Sequence, residues 1–170
     1  MNIVQFKRWA GWLALVIIFS IACVYLSNWQ FSRRADAVAK INQVTQNYDQ
    51  PPVELAQIAE LDSFNLADEW RPVKLTGHYL PDQAVLVRNR PYNGFPGFLQ
   101  LVPFELNSGK VIAVETGWLP TGERQDSPDV IPLPGSNVQS IVGRLRASEP
   151  NLNRDAPDGQ IATINIELLI

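Results

Sequence analysis

The sequence has 170 residues, of which 46% are hydrophobic, and its formal net charge is −3. Residues 1–48 carry five Lys or Arg against one Asp, whereas residues 49–170 carry nine against sixteen Asp or Glu. The acidic balance of the larger part argues against nucleic acid as a partner, because phosphate neutralisation needs clustered basic residues. About 120 residues beyond residue 48 suffice for one compact domain but not for two.

An uncharged, strongly apolar run extends from Trp9 to Trp29. A helix over about 18 of these residues would be about 27 Å long, close to the hydrocarbon thickness of a bilayer. Aromatic residues lie near both ends of the run, where amphipathic rings favour the headgroup level. The run predicts a transmembrane helix at residues 9–29, so the lipid bilayer is a partner. Lys7 and Arg8 precede the run and Arg33 and Arg34 follow it, so charge alone does not fix the orientation. Because eight residues are easily kept in the cytoplasm, we expect residues 1–8 to be a cytoplasmic N-terminus and the larger domain to lie on the extracytoplasmic side of a plasma or inner membrane.

Two alternatives to a permanent anchor involve cleavage. A secretory signal peptide has a shorter apolar run than this one and a small-x-small cleavage site, which is not found here. Ser20-Ile21-Ala22-Cys23 loosely resembles a lipobox, whose processing would remove residues 1–22. Ser20 stands where a branched aliphatic residue is usual, however, and the apolar run continues past Cys23. The permanent anchor is therefore favoured, and the rest of the chain has no thiol to oxidise.

Helical periodicity continues beyond the apolar run to about Asn47, and Pro51-Pro52 ends it. A short helix is expected at residues 54–61, because apolar residues recur there on one helical face. Residues 30–69 are thus predicted to form a helical extension and connector.

From Trp70 onward the apolar period changes from 3.6 to 2. In the first strand, the apolar face holds Val73, Leu75, Gly77 and Tyr79, and Pro72 lies on the wet face. Strands are expected at residues 70–79, 83–89, 98–106, 110–116 and 138–147, and residues 160–168 are expected to form a final strand or the start of a further element. The first two are expected to pair as a hairpin, because Leu80-Pro81-Asp82 is typical of a turn.

Breaker residues separate the later strands. Residues 90–97 are expected to form a loop, residues 117–120 to close the run of strands, and residues 120–137 to form a long Pro-rich loop. The pattern predicts a membrane-anchored α+β fold, with the N-terminal helix followed by a mainly antiparallel β domain at residues 70–170. That domain would be a small sheet or a partly open barrel.

Residue types that carry catalysis are scarce. The chain has one histidine, His78, and one cysteine, Cys23 inside the apolar run, so no zinc-ligand spacing exists. It has no phosphate-binding glycine loop, G-x-S-x-G or H-E-x-x-H motif. A membrane-tethered hydrolase would depend on His78 alone, whereas a solvated histidine facing outward from a strand is favoured. The chain is predicted not to be an enzyme.

Short motifs follow one another in a fixed order from Trp9 to Arg146. Their residues are Trp29, Gln30 and Arg33; Arg71, Pro72, Val73, Gly77 and Tyr79; Arg88, Arg90, Gly97 and Pro103; Gly117, Trp118 and Pro120; and Gly143 and Arg146. In this order they resemble the motifs of the surfeit locus family of cytochrome c oxidase assembly factors, the Shy group of yeasts and bacteria. The chain departs from the family at Ser27-Asn28, where a glycine is common, and at Thr116, where Arg is frequent.

The resemblance implies a cytochrome c oxidase assembly factor that assists haem a insertion or maturation of oxidase subunit one at the membrane. Its implied partners are subunit one and the haem a synthesis machinery. Family members have a second transmembrane helix after the domain, with a histidine implicated in haem a binding near it. The sequence reaches Ile170 without that helix, so a C-terminally incomplete chain is expected. Haem a would be held through that second transmembrane region, and no residue of this sequence is assigned to it.

A second hypothesis does not depend on oxidase assembly. The same architecture suits a membrane-anchored structural or interaction module of a cell-envelope complex, as in division or secretion, using its strands for partner contact. Co-purification of oxidase subunits or of envelope machinery would separate the two hypotheses.

The chemistry of the motif side chains suggests local roles. Trp29 and Arg33 lie four residues apart on one helical face, where ring and guanidinium could stack or meet headgroups. Trp118 is expected in the core of the domain or at its seat on the helix. Arg88 and Arg90 are expected on one strand face as solvated charges, with contact to a lipid phosphate or a partner as the alternative.

The motif glycines are expected to have structural roles. Gly77, Gly97 and Gly117 are predicted to serve turns, bulges or close backbone approach, because glycine has no Cβ.

Overall fold

A computed structural model describes residues 3–58 and 65–165 of the chain, with side chains from residue 9 onward. The chain divides into two compact units, Met1–Gln46 and Asn47–Ile170. Helix α1, Ile3–Asn47, accounts for the first unit and continues without a break past the apolar run, as predicted.

Helix α1 presents its apolar residues to the outside. Side chains at residues 9–42 are exposed, and none of the most apolar 18-residue window is buried within the protein. Leaving so many large apolar side chains in water would be costly, at roughly 1.5–3 kcal/mol for each. The helix is long and apolar enough to cross a bilayer, which confirms the predicted apolar N-terminal helix and fits a membrane anchor.

The second unit is a sheet domain with one short α-helix and two 3₁₀ turns between its strands. Its strands are β1 (Val53–Glu54), β2 (Pro72–Tyr79), β3 (Val85–Val87), β4 (Gly97–Leu106), β5 (Val111–Pro120), β6 (Gln139–Arg144) and β7 (Gln160–Ile161). Helix α2 is Leu55–Ile58, and 3₁₀ turns lie at Leu66–Asp68 and Pro81–Gln83.

All seven strands belong to one mixed sheet, which over the described residues does not close into a barrel. Strand β4 is central: β5 pairs along one of its edges, and β2 and β3 pair along the other. Strand β6 pairs antiparallel with β2. This confirms an α+β fold with an N-terminal helix and an open sheet.

The predicted hairpin between the first two strands is wrong. Strands β2 and β3 both run antiparallel to β4, with Tyr79 opposite Phe104 and Val85 opposite Leu101. They therefore follow one another in the same direction along one edge of β4. The segment between them offsets the chain along that edge and does not reverse its direction. The Leu80 amide donates to the Pro103 carbonyl at 2.9 Å, which keeps the chain on the β4 edge through this offset.

Other predicted bounds also shift. Strand β5 continues through Pro120, whereas residues 117–120 were expected to close the run of strands. Two parallel ladders, β1 with β2 and β3 with β7, accompany the antiparallel pairs of a domain that is predicted to be mainly antiparallel. Each involves a two-residue strand, too short to leave an alternating pattern in the sequence. Residues 59–61 of the predicted short helix and 166–168 of the predicted last strand lie outside the described residues.

The core of the domain lies where β2 and β4 meet. Val73, Leu75, Tyr79, Val102 and Phe104 are buried there together with Leu55. The Tyr79 and Phe104 rings meet edge to face with centroids 4.8 Å apart, and burial raises the pKa of the Tyr79 phenol. Alternation along β2 is confirmed for its apolar face. Pro72 was predicted on the wet face but is buried at the start of the strand, opposite Arg144 of β6.

Candidate functional site

The densest group of motif residues surrounds the loop between β3 and β4. Arg90 donates two hydrogen bonds to the Glu149 carboxylate, one of them from Nη1 to Oε1 at 2.8 Å. The Arg90 hydrogen bonds hold the pKa of Glu149 below its usual value, burial opposes this, and the Ile164 amide adds to the lowering. Arg90 was predicted to be a solvated charge; it is instead paired within the chain.

Glu149 also organises the segment that follows β7. Its carboxylate accepts a hydrogen bond from the Ile164 amide at 2.9 Å, and its backbone amide donates to the Ile164 carbonyl at 2.7 Å. The Asn165 side chain donates to the Glu149 carbonyl at 3.0 Å. The Arg90–Glu149 pair therefore joins the loop before β4 to the C-terminal part of the described chain.

Trp118 of β5 packs on the same loop. Its indole Nε1 donates to the Arg90 carbonyl at 2.6 Å, and its ring lies 5.6 Å from that of Tyr92. A Cβ on Gly97 would lie 2.4 Å from the Trp118 ring, so glycine is required for this close approach. Trp118 is half-buried against the loop and is not part of the central core cluster.

The tip of the loop is a tight reversal. Tyr92 and Phe95 exchange backbone hydrogen bonds of 2.9 and 3.0 Å, and Asn93 and Gly94 between them both have positive φ. Asn-Gly with both residues left-handed is the usual two-residue reversal of a hairpin. The side chains of Tyr92 and Phe95 remain 60% and 67% exposed, so the loop presents two aromatic rings to its surroundings.

A cleft of about 440 Å³ opens at the base of this loop. Its lining includes both loop prolines and several side chains with hydrogen-bond donors. The lining residues are Arg88, Asn89, Arg90, Pro91, Pro96, Gly97, Phe98, Thr121 and Gln125.

A second cluster, here called the aromatic clamp, consists of Tyr48, Trp70, Arg144 and Arg146. The Arg144 guanidinium lies 3.6 Å from the centroid of Tyr48, and that of Arg146 lies 4.0 Å from Trp70. Arg144 also donates to the Tyr48 carbonyl at 3.3 Å, and Arg146 lies 3.5 Å from the Glu69 carboxylate. Cation–π and hydrogen-bond contacts thus fasten residues 47–50 to the end of β6.

The helix motif is local to α1. Arg33 lies 5.4 Å above the ring of Trp29, which agrees with the proposed stacking of ring and guanidinium. Gln30 lies between them in sequence, on the exposed helix surface.

Gly77 and Gly117 lie at irregular or crowded positions of the sheet. A Cβ on Gly77 would lie 1.9 Å from the Glu105 carbonyl oxygen, so β2 and β4 approach too closely for another residue. At Gly117 the β4–β5 register shifts, because Gln100 pairs with Gly117 and Leu101 with Glu115. The bulge leaves Thr116 between them, and its hydroxyl contacts the Gln100 side chain at 2.9 Å.

The remaining motif residues serve the sheet and its rim. Val73 is in the core, Pro103 is half-buried within β4, Pro120 ends β5 and Gly143 pairs with Val73. Arg71 lies 3.6 Å from Asp68, and its Nε is buried without a hydrogen-bond partner among the described residues.

His78 is half-exposed, and its Nε2 lies 3.5 Å from the Glu105 carboxylate. The histidine faces outward, as predicted, but its side chain contacts a carboxylate as well as solvent. In the part of the chain that the structure describes, no three His, Cys, Asp or Glu side chains gather as metal ligands would.

Sequence reasoning missed Glu149, Tyr48 and Trp70 as members of these clusters. The Arg90–Glu149 pair spans 59 residues and the Arg144–Tyr48 contact spans 96, and such distant pairs leave no local signal. The spacing of Arg144 and Arg146 is a signal that could have placed them on one face, because residues two apart lie on one side of a strand.

An exposed apolar N-terminal helix followed by an open mixed sheet defines an α+β protein of membrane-anchored type. Residues 17–169 match the sequence profile of the SURF1 family. The chain belongs to the SURF1 family, which confirms the resemblance drawn from its motifs.

Relatives are found in bacteria and yeast. An uncharacterised SURF1-like protein of Mycobacterium tuberculosis is 35% identical over 167 residues, covering 91% of this chain and 60% of the relative. A SURF1-like protein of Rickettsia bellii is 30% identical over 105 residues, covering 61% of this chain and 41% of the relative. The cytochrome oxidase assembly protein SHY1 of Saccharomyces cerevisiae is 28% identical over 120 residues, covering 69% of this chain and 30% of the relative. The chain thus spans less than two thirds of the length of each of these relatives.

Proposed function

We propose that the chain takes part in the assembly of cytochrome oxidase at a membrane. The observation that carries this proposal is its similarity to a yeast protein named as a cytochrome oxidase assembly protein, within a shared family. The apolar helix supports a membrane location. Its basic flank, Lys7 and Arg8, suits an N-terminus kept in the cytoplasm, with the sheet domain on the extracytoplasmic side of a plasma or inner membrane.

The finer role we propose is assistance to haem a insertion or maturation of oxidase subunit one. The domain would act by binding, keeping the immature subunit and the haem supply together at the membrane, and would catalyse no bond change itself. The exposed rings of Tyr92 and Phe95, on the loop held by the Arg90–Glu149 pair, are features of a binding surface.

The described residues do not fit a haem ligand set. The single histidine, His78, directs Nε2 towards Glu105, and the Tyr79 side chain is buried against Phe104. In this proposal haem a is the cargo of the assembly process, and no step is assigned to a haem held by these residues.

Deletion of the gene in its own host tests the proposal. Absorbance of haem a in isolated membranes should fall, whereas b- and c-type haem signals should stay unchanged. A genomic Trp118→Ala change, which removes the ring packed on the loop, should lower haem a absorbance in the same direction. Arg154→Gln, a change at an exposed arginine, should not.

Unchanged oxidase spectra in the deletion strain would contradict the oxidase role. Affinity purification of the tagged chain from the same membranes gives an independent measure. Recovery of oxidase subunits supports the proposal, and recovery of division or secretion machinery instead would favour the envelope-module hypothesis.

A further inference from the structure

Two arginines separated by one residue have different electrostatic surroundings. Arg90 has its counter-charge in Glu149, which it contacts through both terminal nitrogens. Arg88 is half-buried, and within the described ranges no carboxylate lies within 4.0 Å of its guanidinium. The Nε atoms of both arginines are closed to solvent without a hydrogen-bond partner in that part of the chain, so the difference between them lies in the counter-charge. A partly desolvated cation without an internal anion is an unfavourable arrangement that an external anion would relieve.

Arg88 lines the cleft at the base of the aromatic loop, and other donors accompany it there. Asn89, Thr121 and Gln125 belong to the same lining, so residues with amide and hydroxyl side chains accompany the arginine at a space of about 440 Å³. Asn89 and Gln125 both have positive φ, a backbone conformation that most residues avoid. Apolar residues form much of the lining, and the residues with donors lie among them at a space large enough for a phosphate group.

We propose that this cleft binds a phosphate group through the Arg88 guanidinium. A phosphate offers more acceptor oxygens than a carboxylate and can engage the arginine fork together with the neighbouring hydroxyl and amide donors. Arg90 does not act as the phosphate ligand, because Glu149 already neutralises it. The site goes beyond the proposed role in oxidase assembly and does not depend on it.

The surroundings of the cleft favour a lipid headgroup as the source of the phosphate. Pro91 and Pro96 of the lining flank the exposed rings of Tyr92 and Phe95 on the same loop. Exposed aromatic rings partition to the interfacial region of a bilayer, next to headgroup phosphates. Soluble phosphate compounds share the same chemistry, and the experiment below distinguishes them.

Binding is measured with the full chain in a non-ionic detergent and phosphate-free buffer. Isothermal titration uses three probes: dihexanoyl phosphatidylglycerol below its critical micelle concentration, inorganic phosphate, and acetate. We expect both phosphate probes to bind, the lipid more tightly, and acetate to bind at least about tenfold more weakly than inorganic phosphate.

Variants connect the binding to the cleft. Arg88→Gln should weaken both phosphate probes by at least about tenfold, because a charge-assisted interaction is lost. Arg154→Gln removes the same charge from an exposed position and should leave both affinities unchanged. The double change Tyr92→Ser and Phe95→Ser should weaken the lipid probe while sparing inorganic phosphate.

The outcomes separate clearly. Absence of binding by either phosphate probe, or binding that Arg88→Gln leaves unchanged, overturns the proposal. Acetate binding as tightly as phosphate overturns the phosphate chemistry. Equal binding of both phosphate probes that is insensitive to the aromatic changes supports the site and assigns it to soluble phosphate. If Arg88→Gln fails to fold, as judged by circular dichroism, Arg88→Lys and Thr121→Val provide the same comparison, with weakened phosphate binding expected in each.

Discussion

At the scale of single residues, the Arg90–Glu149 ion pair should make the stability of the folded protein depend on pH. The side chains are 26% and 31% exposed, so solvent screens them less than it would a surface pair. Because the pKa of Glu149 is lowered in the folded state, the folded protein binds fewer protons than the unfolded chain near the usual glutamate pKa. The stabilisation is therefore present at neutral pH and is lost as pH falls through and below about 4.5, the usual value.

Glu149→Gln tests this linkage. At pH 7 we expect the change to lower the free energy of unfolding by about 1–3 kcal/mol, because it removes a charge-assisted pair and leaves Arg90 without its counter-charge. The difference from wild type should shrink as the pH is lowered below about 4.5, because the unfolded chain is then protonated at Glu149 while the folded carboxylate, with its lowered pKa, takes up its proton only at still lower pH. Chemical denaturation of the full chain in detergent at a series of pH values measures both effects.

Two comparisons make the test specific. Arg154→Gln should change the unfolding free energy by less than about 0.5 kcal/mol at either pH, as surface substitutions usually do. A double-mutant cycle with Arg90→Gln should show coupling between the two side chains. A pH-independent loss in Glu149→Gln, or additive single changes, would contradict the assignment of a stabilising ion pair.

Gly77 and Gly143 provide a second residue-scale comparison. A Cβ at Gly77 meets the Glu105 carbonyl oxygen at 1.9 Å, and that backbone atom cannot move aside cheaply, whereas a Cβ at Gly143 meets nothing within 4 Å. Gly77→Ala should therefore destabilise the domain by about 1–3 kcal/mol or more, and Gly143→Ala should be neutral or slightly stabilising. Thermal denaturation of both variants checks this, and equal melting temperatures would refute the close approach of β2 and β4.

At the scale of elements, the aromatic clamp fixes the segment after α1 to the sheet domain. The Arg144 guanidinium lies over the Tyr48 ring and donates to the Tyr48 carbonyl. The Asn47 side chain donates to the Ala67 and Glu69 carbonyls at 2.7 and 2.9 Å. These contacts order residues 47–50 although most of their side chains are exposed. Polar and cation–π contacts here replace the apolar burial that usually orders a connector.

Arg144→Gln should loosen this connector without unfolding the sheet. We expect faster hydrogen exchange at the Gln50 amide, whose bond to the Asn47 carbonyl is long at 3.3 Å, and unchanged exchange across β4. Peptide-resolved deuterium uptake measures both regions, with Arg124→Gln as an exposed arginine control. Uptake in residues 47–54 that matches the wild type would show that the cation–π contact does not order the segment.

The sequence predicts the strands themselves better than it predicts which strands and side chains pair with one another. The period-2 pattern of β2 located its buried face, since burial of one face imposes that alternation on the sequence. The hairpin prediction failed because a turn signal at Leu80–Asp82 is compatible with either a reversal or an offset, and the choice depends on the distant strand β4. Similarly, the spacing of Arg88 and Arg90 could not show which of them would meet an acid, because Glu149 comes from 59 residues further along.

At the scale of the whole molecule, the two units carry surfaces suited to different solvents. Residues 1–48 combine an uncharged apolar run with a net positive charge, whereas residues 49–170 carry sixteen acids against nine bases around a small apolar core. Each surface suits its own surroundings, lipid for the helix and water for the domain. Within α1, added charge should therefore weaken membrane retention when it is placed in the apolar run at residues 9–29, and should not when it is placed in the part of the helix beyond the run.

Paired lysine substitutions on α1 test this difference. Ile17→Lys with Ile21→Lys places two charges in the apolar run, at a cost of about 2.5–3.5 kcal/mol for each residue near the middle of a bilayer. Val38→Lys with Ile41→Lys adds the same charges to exposed positions beyond the run and serves as the matched control. After extraction of membranes at high pH, the wild type and the control should stay in the pellet, whereas the first variant should move largely to the supernatant. Equal retention of both variants would mean that residues 9–29 do not hold the chain in lipid, and release of the wild type would exclude a transmembrane anchor.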